Sequence, residues 1–127
     1  MVDRLGSDEV VLRPVEALDR ARSFLRDRLG LPELLVRPSV ACFALPGARL
    51  ILRETGRREA ADLLYFGVAD ILSAHEVLSR QGVAFQGPPE LRERRPDGAE
   101  EWVAYFEDDE GRTLALHATL SVRQVPH

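Results

Sequence analysis

The chain carries one pattern twice. Val15, Leu18, Ala21 and Leu25 recur at a constant separation as Val68, Ile71, Ala74 and Leu78. Apolar residues at three- and four-residue steps mark one face of an amphipathic helix, so each half holds a helix with the same buried stripe. In the first half, residues 10–12 read as a short strand, and a helix opens at residues 16–19 and stops at Gly30 and Pro32. Residues 34–36, 40–45 and 49–53 follow as three strands, the last two joined by a tight turn at Pro46-Gly47. In the second half, residues 63–68 read as a strand, Asp70 caps the helix and Gly82 closes it. Residues 83–85, 102–106 and 113–116 read as further strands, the last entered through the turn Asp108-Asp109-Glu110-Gly111. Gly47, Leu50 and Leu52 match Gly111, Leu114 and Leu116 at a larger separation, because extra residues fall in 87–99.

Each half is therefore βαβββ. A module of this size cannot bury both faces of its sheet, so two copies have to share the task. The expectation is a single α+β domain over residues 1–127. It is made of tandem modules at about 8–55 and 62–119, joined by the polar connector 55–62, which pair into a curved, cleft-forming mixed sheet. A cleft of that kind takes a small ligand.

Composition removes several classes of function. All 17 basic residues are Arg, so Schiff-base chemistry and a lysine nucleophile are excluded. The single cysteine, Cys42, excludes an intrachain disulfide and a zinc site of several thiolates, and its apolar neighbours mark it as a small buried residue. A net charge of −4 argues against a nucleic-acid surface, since Arg92, Arg94 and Arg95 stand among Glu90, Glu93, Asp97, Glu100 and Glu101 as a solvated loop. Residues 1–9 lack the apolar core of a signal peptide and no run is long enough to span a membrane, which points to the cytoplasm.

The phrases Val15-Glu16-Ala17-Leu18-Asp19-Arg20-Ala21, Leu29-Gly30-Leu31-Pro32, Phe66-Gly67-Val68-Ala69-Asp70-Ile71, Gly82-Val83-Ala84-Phe85 and Phe106-Glu107-Asp108-Asp109-Glu110-Gly111 give nearly the whole chain a family likeness. In order and spacing it resembles the glyoxalase, bleomycin-resistance and dioxygenase superfamily, also called vicinal oxygen chelate. Metal-dependent members hold a divalent ion with His or Glu on the first and last strand of each module. The resemblance places Val10 and Ile51 at those positions in module one, and Leu63 and Ala115 in module two. None of the four offers a donor atom, so no metal or other cofactor is expected. A makeshift set of His117 with Glu9 or Glu54 is the alternative.

The resemblance then implies two functions. One is a metal-free binding protein on the pattern of the bleomycin-type resistance proteins, which sequester a drug in a cleft built by two subunits. That reading makes the chain a homodimer linked to antibiotic resistance, with a small organic molecule as partner. The other is a metal-dependent lyase, isomerase or dioxygenase using substitute ligands. No catalytic residue is assigned, because no nucleophile motif is present and His117 has no partner carboxylate identifiable from spacing. Trp102, His117, Phe43 and Tyr65 are the expected cleft-lining residues. Trp102, Ala104 and Phe106 should share one face of their strand, and Val103 and Tyr105 the other. Of the remaining histidines, His75 falls among polar helix positions and His127 ends the chain. Residues 87–99 read as an enlarged hairpin connection or a lid.

Overall fold

The structure, a computed structural model, describes residues 9–121. Residues 1–8, most of the segment tested for a signal peptide, and His127 lie outside the described residues. The chain divides into two compact units, with the boundary between Asp62 and Leu63.

The first unit runs β1 (Glu9–Val15), α1 (Leu18–Ser23), β2 (Glu33–Arg37), β3 (Val40–Leu45) and β4 (Ala48–Glu54). Its four strands lie in the order β1-β4-β3-β2, with β1 parallel to β4 and the other pairs antiparallel. Residues 16–29, expected as one α-helix, divide: after α1 the backbone widens into a π turn over Phe24–Arg28. It closes with Leu29 N–H on the Phe24 carbonyl at 3.2 Å, and Gly30 then takes a φ of 72° that favours glycine. Ala17 supplies no side-chain cap to α1; Glu54 does so from β4, accepting the Leu18 N–H at 2.7 Å. The helix stripe Leu18, Ala21 and Leu25 is buried together with Ala41, Phe43, Leu50 and Leu52 from one face of the sheet.

The second unit runs β5 (Tyr65–Gly67), α2 (Ile71–Arg80), β6 (Glu90–Arg94), β7 (Glu100–Glu107) and β8 (Thr113–Leu120), in the sheet order β5-β8-β7-β6. β5 is parallel to β8, and β6 and β8 are antiparallel to β7. Asp70 caps α2 by accepting the Ser73 N–H at 3.0 Å. The aromatic core sits on one face, where the Phe106 ring lies 6.3 Å from Phe66 and 5.3 Å from Phe85.

The repeat extends into strand register. Leu12 pairs with Ile51 as Tyr65 pairs with Ala115, and Pro14 with Arg53 as Gly67 with His117. Phe43 pairs with Leu50 as Phe106 pairs with Leu114.

Three further expectations are corrected. Residues 83–85 form no strand; they contribute one bridge, Phe85 to Phe106, and the second strand of this unit is β6. Most of residues 87–99, expected as an enlarged hairpin connection or a lid, is thus strand β6 and the turn that leads into β7. Arg95 N–H donates to the Ala99 carbonyl at 2.8 Å, Gly98 N–H donates to the Arg95 carbonyl at 2.9 Å, and Asp97 accepts the Ala99 N–H at 2.9 Å. Pro96 and Gly98 (φ 88°) supply the backbone angles that such a turn requires. β7 also starts two residues before the expected strand, which draws Glu100 and Glu101 out of the supposed solvated loop and into the sheet.

Candidate functional site

The alternation of β7 and β8 sorts the second sheet into two faces. Glu100, Trp102, Ala104 and Phe106 share the face that carries the aromatic core, with Leu114, Leu116 and Ala118 opposite them. Glu101, Val103 and Tyr105 share the other, with Ala115, His117 and Thr119 from β8 and Tyr65 from β5. On this second face the polar groups converge.

Glu101 and His117 are diagonal neighbours across the β7–β8 ladder. His117 Nε2 hydrogen-bonds Glu101 Oε2, and Thr119 Oγ1 donates to the same carboxylate at 2.9 and 3.2 Å. Arg95, presented by the β6–β7 turn, pairs with Glu101 Oε1. Burial opposes ionisation of Glu101, but the bonds from Thr119 and His117 and the Arg95 charge hold its carboxyl below the ordinary glutamate range. An ionised carboxylate only accepts, so neutral His117 carries its proton on Nε2 and leaves Nδ1 as an acceptor. The Glu101 side chain is 9% exposed and that of His117 35%: the carboxylate is the buried anchor and the imidazole the open group.

Tyr65 stands edge-on to His117, with ring centroids 6.4 Å apart and planes at 87°. Arg92 donates to the Tyr65 hydroxyl at 3.0 Å, and its guanidinium lies 5.6 Å from the centre of the Tyr65 ring. Burial, then the neighbouring Tyr65 hydroxyl, pushes the Tyr105 hydroxyl above the ordinary phenol range. The face thus offers two phenols, an imidazole and a guanidinium.

No family model and no curated protein matches the chain. Solved structures do. A glyoxalase/bleomycin resistance protein/dioxygenase from Alicyclobacillus acidocaldarius superposes with a TM-score of 0.73 at 17% identity, covering 92% of this chain and 94% of that one. A glyoxalase/bleomycin resistance protein/dioxygenase from Nocardioides gives 0.67 at 22% identity, over 100% and 91%. A lactoylglutathione lyase from Agrobacterium tumefaciens gives 0.64 at 17%, over 87% and 91%. The chain has the glyoxalase/bleomycin-resistance/dioxygenase fold.

The four positions that the resemblance assigned to metal ligands carry apolar side chains. Val10 is exposed on β1, Ile51 pairs with Leu12, Ala115 pairs with Tyr65, and Leu63 precedes β5. None of these side chains can coordinate a divalent ion. Among the described residues, no three of His, Cys, Asp and Glu gather in a metal-holding group. Of the makeshift set, Glu54 is occupied as the cap of α1, and His117 Nε2 as the donor to Glu101.

Of the four expected lining residues, the structure brings together Tyr65 and His117. The other two lie elsewhere. Phe43 is fully buried on the face of the first sheet that packs with α1, opposite the face of Ile51. Trp102 lies on the Phe106 face, where its Nε1–H donates to Glu100 at 3.0 Å. Arg94 donates to the same carboxylate at 2.7 and 3.0 Å, so Trp102 helps satisfy a buried acid. Sequence reading missed Glu101, although the series Val103, Tyr105 leads back to it at the strand's two-residue step. The adjoining charges made that segment look like a loop.

Proposed function

We propose that the protein binds a small organic molecule on the Tyr65–His117 face of its second sheet without using a metal. The observation that carries this reading is the convergence of Tyr105 and Arg92 on Tyr65, which stands beside an imidazole anchored by Glu101. Such a surface combines flat apolar area with a few fixed polar groups, which is the usual makeup of a small-molecule site. The absence of donors at the four family positions favours binding over metal-assisted chemistry. In this reading the protein sequesters a drug-like or aromatic metabolite, as an antibiotic-resistance protein would, and works as a cytoplasmic homodimer. The exposed run Leu34, Leu35 and Val36 on edge strand β2 supports a second subunit.

The test is a thermal-shift screen of the purified protein against aromatic natural products, with and without chelator. The expected result is a chelator-insensitive hit whose affinity falls in Tyr65→Ala and holds in Trp102→Phe. Lyase, isomerase or dioxygenase turnover that chelator abolishes would replace this reading with the metal-dependent one.

A further inference from the structure

We infer that the ligand of this face carries a weakly acidic hydroxyl, of the phenol or enol class, and is bound as its anion, with His117 taking the proton. The inference rests on the binding reading above and adds the chemistry of the guest.

Four features lead to it. Glu101 fixes the proton of neutral His117 on Nε2, and among the described residues no group hydrogen-bonds Nδ1. That nitrogen is a base with an open lone pair. Glu101 also faces the imidazolium that protonation would create, and Thr119 and Arg95 hold the carboxylate in place meanwhile. The other charged groups on this side belong mostly to β6: Arg92, with the exposed Glu90 and Glu93. Arg92 already engages a phenol oxygen, that of Tyr65, so a guest oxygen is matched to the same donor.

The step balances. The guest O–H bond breaks, its proton forms the Nδ1–H bond of His117, and the electron pair stays on the guest oxygen as a phenolate or enolate. The negative charge created is met by the new imidazolium and by Arg92, and no oxidant or reductant takes part. An ether in place of the hydroxyl has no proton to give Nδ1.

The experiment uses para-nitrophenol and its methyl ether para-nitroanisole, with the full chain. The ionised and neutral forms of para-nitrophenol absorb at different wavelengths, so its spectrum reports which form is bound. The expected result is that para-nitrophenol binds as the phenolate, at a pH where it is mostly neutral in solution, and roughly tenfold or more tighter than the ether. His117→Gln keeps an N–H for Glu101 but cannot take a proton. It should abolish the phenolate spectrum and the preference for the phenol over the ether. Equal affinity for the two probes, a neutral bound spectrum, or a preference that survives in His117→Gln overturns the inference and leaves the binding reading intact. Failure of both probes to bind overturns the inference as well; the binding reading falls only if the natural-product screen is also empty.

Discussion

Phe106→Ala tests the account of the core behind the Tyr65–His117 face. The Phe106 ring is at 0% exposure, with Phe85 at 5.3 Å and Phe66 at 6.3 Å, both inside the range of favourable aromatic pairs. Truncating a buried Phe costs about 3–5 kcal/mol, and each aromatic pair adds about 0.5–1.5 kcal/mol beyond area alone, so this site belongs at the upper end of that range. Phe43 occupies the matching position in the first unit, also at 0% exposure, with no ring paired against it among the described residues. Phe43→Ala is therefore expected nearer to about 3 kcal/mol. Equilibrium urea unfolding would be followed by far-ultraviolet circular dichroism for the whole chain. Fluorescence of the single tryptophan, Trp102, would report on the second unit. A loss below about 2 kcal/mol at Phe106, or a larger loss at Phe43 than at Phe106, would refute the packing argument.

Other outcomes follow from the polar groups. Glu100 and Glu101 are held below the ordinary glutamate range, so the folded chain binds fewer protons than the unfolded one through that range. Their stabilisation is complete above the unfolded value and is lost as pH falls through the folded one. Glu101→Gln should flatten the acid limb of a stability–pH profile, and an unchanged limb would count against the carboxylate's role. Tyr65→Phe should lower the ultraviolet titration midpoint of Tyr105 only part of the way to ordinary phenol, because burial continues to raise it. Gly98→Ala places a side chain at φ 88° and should cost about 1–2 kcal/mol in urea unfolding while loosening Arg95 from Glu101.

The two-residue and three-to-four-residue apolar periods, with Gly47, Gly82, Gly111 and the Asp70 cap, made the paired βαβββ plan readable, because local backbone preference and hydrophobic pattern agree there. The same logic failed over residues 83–101. Val83 and Phe85 have strand-like composition but meet the sheet at one bridge, whereas the charged run of β6 pairs along its length. Tertiary pairing overrode composition.

By itself the sequence determined the fold class, the helix stripes, the split of Val103 and Tyr105 from Ala104 and Phe106, and the lack of donors at the four family positions. Only the tertiary structure decided that Glu101 reaches His117, that Tyr65 flanks it, that Phe43 is buried in its own sheet, and that Trp102 lies on the Phe106 face. The physical reason is register. Glu101 and His117 meet because β7 begins at Glu100 and pairs Val103 with His117, and a slip of one residue would have put the carboxylate on the opposite face from the imidazole.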